Sequence, residues 1–264
     1  MGSADLVAQA KRAAAFAAVN KHVTPDVRVL GVGTGSTVVF VVERLAELRA
    51  QGQLHPELVC VPTSFQSSQL IVAAGLRPAE LNDLPADGDG LHAPIDVTID
   101  GADEVDAELN VIKGGGAAHL REKVVAAASR ALVIVGDSTK DARVLGDKWA
   151  GGVPVEVAPL AWRTAKAQIE RIALPGAFEL AAPAATLRQA VRKAGPVVTD
   201  NGNFVLDVCF GRIHDPPAVE RRVMMVPGVV EVGIFSGMAC EAWFGNEDGT
   251  IACRIPQSMA KKHE

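Results

Sequence analysis

The sequence predicts an α/β protein: a doubly wound, largely parallel sheet domain carrying a smaller inserted α+β domain of ferredoxin-like type. Three observations predict it. Through the first 145 residues one phrase recurs five times, a short β-branched apolar run that ends in small and polar residues. Several of these runs are followed by helix-compatible stretches, and strands alternating with helices wind into parallel sheets. Beyond about residue 148 the order changes to strand, helix, hairpin, helix, strand.

An alanine-rich stretch forms the first helix. Val27–Leu30 then runs into Gly31-Val-Gly-Thr-Gly-Ser-Thr37, and Leu58–Val61 into Pro62-Thr-Ser64. Ile95–Ile99 leads to Asp100-Gly-Ala-Asp-Glu104, Leu109–Ile112 to Lys113-Gly-Gly-Gly116, and Ala131–Val135 to Gly136-Asp-Ser-Thr-Lys140. Helices are expected over 36–49, over 64–74 (stopped by Gly75) and over 117–130. Open α/β sheets bind ligands at the carboxyl ends of their strands, so the five polar tips are expected at one edge. The loop Asp83–Pro94 is rich in turn formers and reads as exposed. In the second part, Pro154–Val157 reads as a strand and Trp162–Ile172 as a helix. Asp200-Asn-Gly-Asn203 reads as a turn between two strands of a hairpin over Pro196–Asp207. Asp215-Pro-Pro opens a helix to Met225, and Pro227-Gly228 ends it before a strand over Val229–Phe235. A last hairpin around Glu247-Asp-Gly249 returns to the first domain. The expected division is a Rossmann-like catalytic domain, 1–148 plus 239–264, and a small α+β domain, 149–238.

Composition narrows the function. With 48% hydrophobic and 22% charged residues the chain is globular, and a net charge of −5 with pI near 5.7 attracts neither nucleic acid nor a membrane surface. The absence of Tyr and the presence of only three Trp argue against a base-stacking surface. The four cysteines form no CxxC pair, so no zinc cluster or disulfide framework is indicated. The start of the chain has no apolar signal core, and no run is long enough to span a membrane; a cytoplasmic location is expected. The histidines show no ligand spacing.

Each polar tip has a chemical reading and a plain one. Gly31–Thr37 follows a strand and opens a helix, where glycines admit an anion to the backbone and the helix start favours negative charge. It misses the dinucleotide fingerprint, because Ser36 stands where the third glycine belongs, and it lacks the Gly-Lys-Ser/Thr ending of a nucleotide triphosphate loop. The plain reading is a tight turn. Thr34, Ser36 and Thr37 add hydroxyls beyond what a turn requires, which favours phosphate. Asp100, Asp103 and Glu104 crowd three acids into five residues; one carboxyl there is expected to be raised by its neighbours, and magnesium binding or solvated turn acids are the other readings. Lys113 with Gly114, Gly115 and Gly116 supplies a cation and flexible donors suited to a developing oxyanion, against a plain glycine-rich loop with a surface lysine. On the helix over 117–130 the apolar stripe reads Leu120, Val124, Ala127, Ala128, which leaves Glu122 on the solvated side.

Taken in order, these stretches closely resemble the type A ribose-5-phosphate isomerase family. The resemblance rests on Gly-Thr-Gly-Ser-Thr (33–37), Pro-Thr-Ser-Phe-Gln (62–66), Ile-Asp-Gly-Ala-Asp-Glu-Val-Asp (99–106) and Ile-Lys-Gly-Gly-Gly (112–116) with Arg-Glu-Lys (121–123). It continues through Pro-Val-Glu-Val (154–157), Thr-Asp-Asn-Gly-Asn-Phe-Val-Leu-Asp (199–207) and Val-Pro-Gly-Val-Val (226–230). It implies an aldose–ketose isomerase that interconverts D-ribose 5-phosphate and D-ribulose 5-phosphate through a cis-enediolate, in the non-oxidative pentose phosphate pathway. It implies Glu122 as catalytic base, with Asp100 and Asp103 at the sugar hydroxyls and ring opening, and Lys113 beside them. Substrate contacts are implied for Lys11, for Thr34, Gly35, Ser36 and Thr37, for Gly101 and Ala102, for Gly114, Gly115 and Gly116, and for Lys140. No cofactor and no metal are implied, and the chain is expected to form a homodimer or higher homo-oligomer. Two rivals are a non-catalytic sugar-phosphate sensor, which a helix-turn-helix module would accompany, and a coenzyme A transferase of related architecture, which would form a covalent thioester on a glutamate.

Overall fold

Among the described residues, thirteen strands and the six helices of eight residues or more frame the candidate residues. The strands are β1 Val29–Val32, β2 Val59–Pro62, β3 Val97–Asp100, β4 Glu104–Val105, β5 Val111–Ile112, β6 Leu132–Asp137, β7 Val153–Val157, β8 Ala184–Leu187, β9 Phe204–Cys209, β10 Val229–Val232, β11 Ile234–Phe235, β12 Ala239–Gly245 and β13 Ile251–Arg254. The helices are α1 Ser3–His22, α2 Val38–Ala50, α3 Phe65–Ala73, α4 His119–Ala127, α5 Trp162–Ile169 and α6 Pro216–Met224. The structure, a computed structural model, describes residues 3–85 and 94–260. Most of the loop expected to be exposed (86–93), His92 and His263 lie outside the described residues. Among those described, no helix is long and apolar enough to cross a membrane.

The chain forms two units. The first comprises Met1–Ala102, Arg121–Thr139 and Met238–Glu264; the second, Asp103–Leu120 and Lys140–Gly237. Residues 103–120 and 140–148 thus group with the second unit, a division that differs from the 148/149 boundary read from the sequence.

In the first unit the sheet order is β13-β12-β6-β3-β1-β2, parallel from β12 to β2, with β13 antiparallel to β12 at the edge. The chain leaves β1 for β2 on one side and β3 lies on the other, so the strand order reverses at β1/β3, the place where such sheets open a binding crevice. The hairpin around Glu247-Asp-Gly249 does join β12 to β13 in this sheet. β1 and β3 pack closely: a Cβ at Gly31 would lie 1.8 Å from Thr98 Oγ1, and one at Gly33 would lie 1.9 Å from Asp100 Oδ1. On one face, Ala14, Ala15, Ala18 and Val19 of α1 and Val38, Val41 and Leu45 of α2 are fully buried. Small side chains let α1 press against β12, where a Cβ at Gly245 would strike the Ala10 carbonyl oxygen at 1.9 Å. That contact fixes the neighbouring Lys11.

The second unit holds β7–α5–β8–β9–α6–β10, with antiparallel sheet order β10-β7-β9-β8, the ferredoxin-like arrangement. Its core includes Val155, Ala165, Ile169, Leu206, Val208, Val219 and Val223. The first hairpin arm is not Pro196–Thr199. That segment is irregular, with Val198 exposed, and the strand is Ala184–Leu187, whose Ala185 enters the core. β-Branched residues misled the reading; alternating burial decided the register.

A second correction concerns the fourth apolar run. β5 does not belong to the parallel sheet; it pairs antiparallel with β4 and β11 in a separate three-stranded sheet of the second unit. Only ten residues, 101–110, separate β3 from β5, fewer than a parallel crossover needs. Asp106 folds that stretch back instead, its carboxylate accepting from the Glu108 and Asn110 N–H groups and from Asn110 Nδ2. Four of the five tips, not five, follow strands of the parallel sheet.

Candidate active site

In the first unit the loop after β1 meets the end of β3. Asp100 is fully buried, and its Oδ1 accepts from the N–H groups of Thr34 (3.0 Å) and Gly101 (2.7 Å). Gly33 is required by this approach, and Gly35, with φ +115°, by the backbone conformation. Lys11 reaches the same loop, donating to Ser36 Oγ at 3.0 Å and lying 3.8 Å from Asp137 Oδ2 at the end of β6. A cation, the exposed Ser36 hydroxyl and the start of α2 therefore converge, an arrangement suited to a small anion. Thr34 plays a different part from the one its hydroxyl suggested, because Thr34 Oγ1 is hydrogen-bonded to Thr63 Oγ1 and Ser64 Oγ, each at 2.7 Å, and braces the loop. Thr37 is buried as the residue preceding α2. Gln66, which the sequence reading gave no role, accepts the Gly35 N–H at 3.0 Å. Its only signal was its place in the Pro-Thr-Ser-Phe-Gln tip.

Glu122 is buried, 4% exposed, and the solvated surface position read from periodicity is wrong. The helix phase was misjudged. The buried positions include Glu122, Val125 and Ala126, whereas Val124 is 46% exposed. Val125 lies over Gly31, which pairs with Thr98 of β3, while Ala128 C=O accepts from Ile95 N–H near the start of that strand. α4 therefore runs antiparallel to β3. Glu122, three residues earlier than Val125, lies about 4.5 Å further toward the carboxyl edge. That displacement equals one to two strand residues, which brings Glu122 level with Ile99 and Asp100.

In the second unit the remaining acids of the Asp100–Glu104 cluster go separate ways. Glu104, fully buried, accepts from the N–H groups of Gly146, Lys148 and Trp149 and so anchors that loop. Asp103 accepts from Gly115 N–H at 2.7 Å. Its carboxyl is raised above the ordinary range, and the main cause is burial, not crowding by other carboxylates; the Gly115 N–H and the charges of Lys113, Lys140 and Arg188 pull it back in part. Lys113 is only 2% exposed, no surface lysine, with Nζ 5.8 Å from the Phe235 ring centre. Lys140 is half-buried against Trp149. Gly114 takes φ +101°, and Gly115 and Gly116 are exposed.

The raised Asp103 carboxyl has a consequence for stability. A carboxyl raised on folding favours the protonated form, so its contribution is present below the unfolded value and is lost as pH rises through the folded one. Asp103→Asn is expected to melt at a higher temperature than wild type near pH 7, and the gain should shrink as pH falls below the carboxylate range. Melting curves at several pH values check this; a gain independent of pH would refute it.

Two of the four chain crossings between units fall inside candidate motifs: between Ala102 and Asp103, and between Thr139 and Lys140. Among the described residues, no group of three or more His, Cys, Asp or Glu side chains could hold a metal ion. An anion loop at the switch point of a parallel sheet, closed onto a buried acid at the end of β3, fits an α/β enzyme that acts on a sugar phosphate. The sequence model of ribose 5-phosphate isomerase A (phosphoriboisomerase A) matches residues 59–249. The chain is 46% identical over 251 residues to the ribose-5-phosphate isomerase of Cryptococcus neoformans, covering 94% of this chain and 80% of that one. The solved ribose 5-phosphate isomerase of Plasmodium falciparum superposes with TM-score 0.81 at 34% identity, covering 93% of this chain and 97% of that one. A D-ribose-5-phosphate isomerase in complex with phospho-erythronic acid gives TM-score 0.82 at 34% identity over 97% of this chain and all of that one. The chain belongs to the ribose 5-phosphate isomerase A family.

Proposed function

We infer that this chain interconverts D-ribose 5-phosphate and D-ribulose 5-phosphate by proton transfer, and that Glu122 is its base. The observation that carries the assignment is the burial of Glu122 at the level of Asp100, at the sheet edge that also holds the anion loop. Ribose 5-phosphate is mostly a closed ring, so Asp100 and Asp103 handle the hydroxyls through which the ring opens; a raised carboxyl such as Asp103 can hold a proton for that step. Glu122 then removes the C2 proton of the open aldehyde to give the cis-enediolate and returns a proton to C1. Lys113 and the N–H groups of Gly114 and Gly116 stabilise the enediolate oxygens, with the Gly115 N–H holding Asp103, while Gly101 and Ala102 line the sugar. Lys11, Gly35, Ser36, Thr37 and Lys140 hold the phosphate, with Thr34 bracing the loop, and remote binding of this kind orients the reacting carbons. Phospho-erythronic acid, bound by the similar enzyme, carries a phosphate at one end and a planar carboxylate at the other, the shape of an enediolate phosphate. The comparisons favour neither the sensor nor the coenzyme A transferase reading. The same reading includes a cytoplasmic location, division into catalytic and small α+β domains, and self-association.

The test is ribulose 5-phosphate formation from ribose 5-phosphate in excess EDTA, with substrate deuterated at C2. Full turnover in chelator with a primary isotope effect is expected. Dependence on an added divalent ion, or a hydroxylamine-trapped thioester, would overturn the proton-transfer reading.

A further inference from the structure

Arg188, directly after β8, grips two parts of the second unit at once. Its Nε donates to Asp207 Oδ2 at 2.9 Å and its Nη2 to Asp207 Oδ1, a two-pronged pairing with a residue of β9. Its Nη1 donates to the carbonyl oxygens of Gly114 at 2.9 Å and Gly115 at 3.1 Å. The pair is sheltered, with side chains 16% and 26% exposed. A cross-strand ion pair would need only the first contact. The second reaches the loop of three successive glycines, residue types that leave a backbone pliable.

The geometry has a directional consequence. In a trans peptide the C=O and the following N–H point opposite ways. Pinning Gly114 C=O therefore aims Gly115 N–H away from Arg188, and that N–H lands on Asp103 Oδ2 at 2.7 Å. Pinning Gly115 C=O sets the direction of Gly116 N–H in the same way.

We propose that Arg188, held by Asp207, is a positioning residue for the isomerisation, fixing the Gly114–Gly115 and Gly115–Gly116 peptides so that the loop's N–H groups and Asp103 face the sugar oxygens in one orientation. This rests on the assignment of Asp103 and residues 113–116 to the substrate. Lysine cannot substitute, because an ammonium has no planar fork to span a carboxylate and two carbonyls.

The experiment compares kcat, KM and pH profiles of Arg188→Ala, Arg188→Lys and Asp207→Asn, with Arg212→Ala, half of an exposed pair with Glu179, as control. Misplacement of a loop by about 1 Å costs up to ~10²-fold, so Arg188→Ala is expected to lose roughly 10- to 100-fold in kcat with KM nearly constant. Arg188→Lys should remain impaired, and added guanidinium should restore part of the kcat of Arg188→Ala alone. The alkaline limb of its kcat profile should move to higher pH, since Asp103 loses a nearby cation and keeps its proton longer. Asp207→Asn keeps the guanidinium and loosens only its anchor, so it reports if the alanine variant fails to fold; a smaller loss and a smaller limb shift are expected. Wild-type kcat with an unmoved alkaline limb in Arg188→Ala, or wild-type kcat in Asp207→Asn where the former is unfolded, overturns the proposal. Asp103→Asn and Lys113→Ala separate it from its premise: full turnover in those two removes the site assignment itself, whereas their loss beside an unimpaired Arg188→Ala removes only the positioning role.

Discussion

Glu122→Gln is expected to lower kcat by about 10²- to 10⁴-fold, the range general-base catalysis supplies, while phosphate-ester binding persists. Glutamine keeps the shape and the hydrogen-bonding capacity of the side chain but cannot accept the C2 proton. The position is 4% exposed on the buried side of α4, so a substitution of equal volume leaves the packing of the helix in place. The anion loop lies on other elements: Lys11 from α1, Ser36 ahead of α2, and Asp100 at the end of β3. Binding of a phosphorylated sugar acid, measured by calorimetry, should therefore change little. Exchange of the C2 proton with solvent deuterium should fall in parallel with turnover, because both begin with the same abstraction. Turnover within a few-fold of wild type would remove Glu122 from the mechanism.

What could be read in the sequence depended on whether position alone fixed a residue's role. The anion loop was legible because a strand followed by Gly-x-Gly-x-Gly-Ser-Thr admits few backbones, and Lys11 was reachable through the family resemblance. Glu122 was hidden by an ambiguous helix. Leu120 and Val124 supplied an apolar stripe, yet Val125 and Ala126 lie buried beside Glu122 while Val124 is exposed, because closely packed helices bury alanine as readily as leucine. Periodicity weights size; packing weights fit. The placement of β5 was open to arithmetic, since ten residues are too few for a parallel crossover, but its apolar pattern matched the other runs. Arg188 carried no local signal at all, and Gln66 only its place in the Pro-Thr-Ser-Phe-Gln tip. Both act on backbone atoms of residues distant in sequence, Gly114 and Gly115 for one and Gly35 for the other, and contacts of that kind leave no spacing to read.

Lys113→Met should cost roughly 10²- to 10³-fold in kcat, the scale of losing one preorganised donor to a developing oxyanion. Methionine matches the length of lysine and suits a position 2% exposed beside Phe235, so the change removes charge more than volume. An enediolate gathers negative charge only as the C2 proton leaves, so a cation that meets it lowers the barrier more than the ground state, and kcat should fall with KM nearly unchanged. A second effect runs through Asp103, whose carboxyl is raised mainly by burial and held back partly by Lys113. Without the ammonium that carboxyl rises further. The alkaline limb of the kcat profile should then shift upward, and the stability lost by the variant should grow as pH climbs through the raised value and fade where Asp103 is protonated in both folded and unfolded chains. Steady-state rates and melting curves on the same samples separate the two effects. If kcat stays within threefold and the alkaline limb does not move, the lysine is a buried structural cation, and the charge that meets the enediolate must come from the loop's N–H groups alone.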